Sequence, residues 1–138
     1  MTAMGIVSTG TWFPETYITA EEISEQSGLP EWVVREKLGI ERKHVADPRV
    51  HPNEMAVNAA RKAIDKAGID PMDIDVVLCT TEEWREYLLW TTAIDLAYET
   101  GARRAWGIDV HTRCATTIAA LKMARSLMAD DPSVKIST

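Results

Sequence analysis

The order of apolar and polar positions predicts that the chain opens with a strand and a short capped helix. Residues 5–12 (GIVSTGTW) are rich in β-branched side chains and are followed by Pro14, which is typical of a strand entering a turn. Thr19 and Glu22 have the spacing of a capping box, so a helix should begin there. Gly28 should end that helix, because glycine readily takes the left-handed conformation found after helices.

Two further helices are predicted next, separated by a loop. Pro30 suits the first turn of a helix that should end at Gly39. Residues 44–52 contain two prolines and show no periodicity, so they should form a surface loop. A longer helix should begin near Asn53 and end at Gly68. Its apolar stripe consists of Met55, Ala56, Ala59, Ala60, Ala63, Ile64 and Ala67.

The following segments alternate between strand and helix patterns. Residues 76–80 (VVLCT) form a continuous apolar run, which is typical of a strand covered on both faces. A helix should span residues 92–99 and end at Gly101, and another strand should span residues 105–110 (AWGIDV). Residues 134–138 (VKIST) have the pattern of a further strand. This alternation predicts an α/β protein with a parallel or mixed sheet.

Residues 116–128 should form a helix that is apolar around almost its whole circumference. Its formal charges are confined to Lys122 and Arg125, and a helix of this kind is usually buried. A single small sheet can cover one side of it. We therefore expect the other side to be covered by the remainder of a longer protein or by a second subunit.

Composition and charge narrow the class of protein. The 138 residues fit one domain, and 21 acidic against 15 basic side chains give a net charge of −6, which argues against a nucleic-acid partner. No apolar run is long enough to span a bilayer, and the N-terminus lacks the pattern of a secretory signal. Cys79 and Cys114 are too few for a disulfide framework, so we expect reduced thiols in a cytoplasmic protein.

Cys114 is the residue whose position most favours chemistry. It follows the predicted strand at residues 105–110 and precedes the predicted helix at residues 116–128. The backbone N–H groups and the positive dipole end of a helix N-terminus favour a thiolate, and Arg113 could add to this effect. The alternative is a small buried core cysteine. That packing role is the one we expect for Cys79, which lies in the middle of an apolar strand.

Two acidic residues are a weaker candidate. Glu82 and Glu83 directly follow the predicted strand at residues 76–80, where α/β sheets place ligands, although a solvated acidic loop would look the same. No metal site is expected, because the histidines lack metal-ligand spacing. They are His44, His51 and His111.

A dense aromatic cluster follows these acids. Its members are Trp84, Tyr87 and Trp90. A solvated loop does not need so many large rings, so the cluster should form a dimer contact or the wall of an apolar pocket.

Taken in order, four segments resemble the thiolase-superfamily condensing enzymes, especially β-ketoacyl-acyl-carrier-protein synthase III. Residues 5–15 (GIVSTGTWFPE) resemble the family's opening strand and turn. Residues 30–47 (PEWVVREKLGIERKHVAD) resemble its segment in which a tryptophan precedes Gly-Ile and an arginine. Residues 56–81 (AVNAARKAIDKAGIDPMDIDVVLCTT) resemble its next helix and strand. Residues 108–121 (IDVHTRCATTIAAL) resemble the strand, nucleophilic cysteine and buried helix at the centre of the fold.

This resemblance implies an α/β, thiolase-like fold, with helices layered on a mixed or parallel sheet. Residues 1–138 would be the N-terminal half-domain, in a truncated chain from which the C-terminal half is absent. Cys114 would accept an acyl group from a CoA thioester, and Trp32 would stack on the CoA adenine. The stretch around Leu89 and Trp90 would bind substrate as the wall of an acyl pocket at a dimer contact. The family's catalytic histidine and asparagine lie in the absent half, so these residues alone should be inactive.

The resemblance also implies the setting of the reaction. It points to an acyltransferase of fatty acid or polyketide biosynthesis that uses acyl-CoA and has acyl carrier protein as a candidate partner. We expect a cytoplasmic homodimer with no cofactor, no nucleic-acid partner and no membrane partner.

Three functions stay open at this point. The first is carbon–carbon bond formation by Claisen-type condensation through an acyl thioester on Cys114. The second resembles 3-hydroxy-3-methylglutaryl-CoA synthase, in which a Thr-Glu pair follows the second strand and the glutamate is a general acid/base. Thr81 and Glu82 occupy that place here. The third is a non-catalytic fragment or subunit that contributes only dimer and pocket surface.

Overall fold

The computed structural model describes residues 4–81 and 87–137, and these form two compact units. The smaller unit spans Phe13–His51. The larger unit combines Met1–Trp12 with Pro52–Thr138. Glu82, Glu83 and Trp84, which the sequence singled out, lie outside the described residues.

The smaller unit is built on a two-stranded antiparallel sheet and a capped helix. Strand β1 (Tyr17–Thr19) pairs with strand β2 (Arg42–His44). Helix α1 spans Ala20–Ser27, and the predicted capping box is present. The Glu22 N–H donates to the Thr19 hydroxyl at 3.2 Å, and the Thr19 N–H donates to the Glu22 carboxylate at 2.7 Å. Gly28 ends the helix with a φ of 72°, as predicted.

Two sequence-based expectations for this unit need correction. The predicted helix after Pro30 is helical, but Val33–Lys37 is a π-helical turn, in which the Leu38 N–H donates to the Val33 carbonyl at 3.0 Å. The predicted loop at residues 44–52 was wrong at its first residue, because His44 belongs to β2. The residues of β2, Arg42–His44, show no alternation of apolar and polar side chains. The strand is therefore recognised only by its pairing with β1.

The larger unit contains a parallel three-stranded sheet between two layers of helix. Helix α2 spans Pro52–Ala67, strand β3 Val76–Thr80 and helix α3 Thr92–Thr100. Strand β4 (Trp106–Val110), helix α4 (Thr116–Asp130) and strand β5 (Ile136–Ser137) follow. The strand order is β4-β3-β5, and both neighbours run parallel to β3.

The central strand β3 is buried on both faces, as its apolar run predicted. Val77 and Cys79 pack with residues of α2 and α3, whereas Val76 and Leu78 pack with residues of α4. The predicted parallel sheet, and the positions of α2, α3, α4 and β4, are therefore confirmed. None of the helices in the described ranges is long and apolar enough to cross a membrane.

The N-terminal segment was wrongly predicted as a strand. In the described part of the chain, residues 4–12 pair with no strand and instead lie along α2. The Ser8 hydroxyl donates to the Ala63 carbonyl at 2.6 Å, and a Cβ on Gly10 would lie 2.1 Å from the Ala59 carbonyl oxygen. A strand needs a neighbour that satisfies its backbone hydrogen bonds, and local β propensity does not supply one.

Helix α4 is buried on one side, which is the cover that a single small sheet was expected to provide. Thr116, Ala120 and Ala124 are its buried residues, and they lie on the side that faces β3 and β4. Ile118 on the same helix is 68% exposed. The sheet covers one side of the helix, and among the described residues no second layer packs on the other.

Candidate active site

Cys114 lies between the sheet and α4, as the sequence predicted. It is the middle residue of a 3-10 turn, Arg113–Ala115, that joins the end of β4 to the first residue of α4. Cys114 is exposed to solvent. The thiol therefore stands next to the N-terminal end of a 15-residue helix, where backbone dipoles favour negative charge.

The turn around Cys114 has an unusual backbone and an internal hydroxyl bridge. Arg113 has a φ of 56°, in the left-handed region that side-chain-bearing residues rarely adopt. The Thr112 N–H donates to the Thr116 hydroxyl at 2.9 Å, and that hydroxyl donates to the Arg113 carbonyl at 2.6 Å. Thr116 is 3% exposed. Sequence reasoning missed Thr116, although a threonine two residues after a candidate nucleophile is a visible signal.

Cys79 provides the contrast to Cys114. It is 7% exposed and packs in the cluster between β3, α2 and α3. This agrees with the packing role that its mid-strand position predicted. The two thiols therefore differ sharply in access to solvent, which makes Cys79 an internal reference for experiments on Cys114.

The start of α3 is attached to β4 by one carboxylate. Asp109 accepts hydrogen bonds from the Thr92 N–H at 2.9 Å and the Ala93 N–H at 2.8 Å. Gly107, two residues earlier, allows α3 to approach β4 this closely, because a Cβ on residue 107 would lie 2.8 Å from the Ala93 Cβ. The sequence analysis did not single out Asp109, although an aspartate inside an apolar strand signals a carboxylate that needs donors.

The segment before α3 presents apolar side chains at the surface. Leu88 and Leu89 are 96% and 108% exposed, and Leu89 has a φ of 55°. Tyr87 and Trp90 pack edge-on with ring centroids 5.4 Å apart. The prediction that this cluster forms a dimer contact or the wall of an apolar pocket stays a prediction. Thr81, at the end of β3, has a buried hydroxyl with no hydrogen-bond partner in the described structure.

The remaining predicted residues are placed as follows. Trp32 lies in the smaller unit and is 53% exposed. His111 is exposed just after β4. Within residues 4–81 and 87–137, no group of three His, Cys, Asp or Glu side chains could hold a metal ion. The acid/base candidate Glu82 lies outside the described ranges, so its role stays a prediction.

The sequence of this chain is similar to those of known proteins. No protein-family model matches the chain. A β-ketoacyl-acyl-carrier-protein synthase III from Hyphomonas neptunium is 35% identical over 124 residues, which are 89% of this chain and 38% of that protein. The chain therefore spans well under half the length of this curated relative.

Solved structures agree with the sequence match. The priming β-ketosynthase of the R1128 polyketide pathway is 28% identical, with a TM-score of 0.77 over 86% of this chain and 35% of its own. The 3-oxoacyl-acyl-carrier-protein synthase III of Aquifex aeolicus is 21% identical and matches in fold, with a TM-score of 0.81 over 95% of this chain and 42% of its own. By sequence, this chain is therefore similar to β-ketoacyl-acyl-carrier-protein synthase III proteins, and it has the α/β, thiolase-like fold predicted for it.

Proposed function

We propose that this chain provides the acyl-accepting cysteine of a condensing acyltransferase. One observation carries the proposal: Cys114 is exposed in the turn between a parallel strand and the N-terminus of α4, in a chain related to synthase III enzymes. The exposed position gives a thioester substrate access to the sulfur.

The proposed reaction proceeds in two steps that balance without a redox partner. The Cys114 sulfur attacks the carbonyl carbon of an acyl thioester, the bond to the CoA sulfur breaks, and the proton of the cysteine thiol ends on CoA. The second thioester loses carbon dioxide or a proton to give a carbanion, which attacks the acyl group on Cys114. The carbon–carbon bond forms and the cysteine–acyl bond breaks, and the released thiolate takes a proton from solvent or from the group that removed the substrate proton.

The proposed substrates rest on the resemblance of this chain to synthase III enzymes. A β-ketoacyl-acyl-carrier-protein synthase acts with a carrier protein, so we propose acyl-CoA as the acyl donor and an acyl carrier protein for the second thioester. Trp32 is proposed to contact the CoA adenine, and Leu89 and Trp90 to line the acyl pocket. Exposed Leu88 and Leu89 support a contact with a second copy of the chain, since such side chains are normally covered.

The other two functions are less well supported. The relatives named above are synthase III and ketosynthase proteins, so they do not favour the 3-hydroxy-3-methylglutaryl-CoA synthase reaction with Glu82. A non-catalytic role does not account for an exposed thiol at the N-terminus of a helix. We propose that the groups which generate the carbanion are supplied by the part of the family fold that this chain does not cover.

Acyl transfer from radiolabelled acetyl-CoA to the full-length natural protein tests the proposal. We expect covalent label that is lost in Cys114→Ala and retained in Cys79→Ala, the matched control for removal of a thiol. Label that persists in Cys114→Ala would reject Cys114 as the nucleophile. A folded wild-type protein that binds acetyl-CoA without taking up label would favour the non-catalytic function.

A further inference from the structure

Thr116 lies beneath the turn that carries Cys114. It is the first residue of α4 and is 3% exposed, whereas the neighbouring Thr117 is exposed. The cap position of the helix is held by Ala115, whose side chain has no oxygen. The Thr116 hydroxyl therefore does not cap α4 in the usual way, and its hydrogen bonds go to the turn instead.

These hydrogen bonds join two points on the turn before Cys114. The hydroxyl accepts the Thr112 N–H at 2.9 Å and donates to the Arg113 carbonyl at 2.6 Å. The Thr116 N–H also donates to that carbonyl. One side chain thus binds the backbone on both sides of the Thr112–Arg113 peptide and so restrains the residue that immediately precedes Cys114.

The restraint matters because the turn is held in a costly conformation. A non-glycine residue in the left-handed region, such as Arg113 at a φ of 56°, is sterically disfavoured and persists only where its surroundings impose it. Loss of the hydroxyl bridge would remove the hydrogen bond to the Thr112 N–H and one of the two to the Arg113 carbonyl, so the turn would hold Arg113 less firmly at a positive φ. A change in φ at Arg113 would rotate the following peptide and shift Cys114 relative to the start of α4.

We propose that Thr116 is a positioning residue for acylation, whose hydroxyl holds Cys114 in its reactive place before α4. This inference rests on the proposed role of Cys114 as nucleophile. It differs from a purely structural role, because it depends on the hydroxyl and not on the bulk of the side chain. Valine has the shape of threonine without the hydroxyl, and serine has the hydroxyl without the methyl group.

The test compares Thr116→Val and Thr116→Ser with the neighbouring control Thr117→Val in the full-length protein. Alkylation of each thiol by iodoacetamide is followed by peptide mass spectrometry, and the rate and apparent KM of acyl loading from acetyl-CoA are measured. We expect Thr116→Val to slow both Cys114 reactions by about 10- to 100-fold, since small misplacements of a reacting group cost this much. The apparent KM should be unchanged, Thr116→Ser should restore the rates, and Thr117→Val should have no effect.

Several outcomes would overturn this inference. Unchanged Cys114 rates in Thr116→Val would remove the role of the hydroxyl. A loss that Thr116→Ser does not restore would assign the effect to packing of the methyl group. Fast alkylation of buried Cys79 in Thr116→Val would show that the residue supports the fold as a whole.

The two proposals fail in distinguishable ways. If the wild-type protein takes up no acetyl label, the proposed function fails, and the alkylation series still reports whether Thr116 positions Cys114. If the wild-type protein and Thr116→Val load equally fast, the positioning role fails and the proposed function stands.

Discussion

Two residues other than glycine adopt left-handed backbone conformations in the described ranges. Both lie in segments that contain predicted site residues. Arg113 precedes Cys114, and Leu89 lies in the exposed apolar segment before α3. Strained residues of this kind are often found at functional sites, where the surrounding structure holds them in place. The strained residue Arg113 therefore marks the turn that carries Cys114 as a place where the surrounding structure imposes the backbone conformation.

Arg113→Gly should stabilise the fold, because glycine adopts a positive φ without the steric cost that arginine bears. We expect the free energy of unfolding to rise by about 1 kcal/mol, as measured by urea denaturation. Arg104→Gly is the matched control at an exposed turn position outside the left-handed region, and it should lower stability through the entropy of the unfolded chain. Equal effects of the two substitutions would show that Arg113 is not strained.

At the scale of elements, the attachment of α3 to β4 connects the two parts of the candidate site. Asp109 binds the first N–H groups of α3, and Gly107 allows Ala93 to approach the strand closely. The exposed segment that contains Leu89 leads directly into α3. The turn that contains Cys114 leads directly out of β4. The contact of Asp109 with the start of α3, together with the packing of α3 in the core, therefore fixes the position of these two segments.

Asp109→Ala should destabilise the larger unit, because it leaves two partly buried N–H groups at the start of α3 without their acceptor. We expect a loss of about 1 to 3 kcal/mol in the free energy of unfolding and faster hydrogen exchange of the Thr92 and Ala93 amides. Asp130→Ala, at the exposed end of α4, is the control and should change neither measurement appreciably. Protected amides in Asp109→Ala would mean that α3 is held by other contacts.

At the scale of the whole molecule, the larger unit leaves apolar surface uncovered. Leu88 and Leu89 are almost fully exposed, and Ile118 is exposed on α4. An apolar groove of about 420 Å³ runs between β4 and α4, with Trp106, Ile108, Met123 and Leu127 in its lining. Exposed apolar area of this extent is typical of surfaces that another polypeptide covers.

The 138-residue chain should therefore associate in solution, and light scattering over a range of concentrations should give a mass above that of the monomer. Leu89→Glu should weaken association by about tenfold or more, because burial of a new charge at an interface is strongly unfavourable. Ile94→Glu places the same charge at another exposed position, on α3 outside the apolar segment, and should have less effect. A monomer at high concentration would contradict the proposed contact.

Features set by neighbouring residues could be predicted from the sequence alone. The capping box of Thr19 and Glu22 forms a helix start through groups three residues apart, and Gly101 ends α3 through its own left-handed conformation. The apolar run of β3 required cover on both faces, and Cys114 necessarily fell between a strand and a helix. These features depend on local chemistry and on burial patterns, which the order of residues already contains.

Features that depend on a distant partner were decided by the tertiary structure. Residues 4–12 have the composition of a strand but lie along α2, and the short strand β2 exists through its pairing with β1. The sequence could have singled out Asp109 and Thr116, but it could not give the partners of their hydrogen bonds. A carboxylate or hydroxyl has many possible donors and acceptors, and only the folded chain determines which of them come within hydrogen-bonding distance.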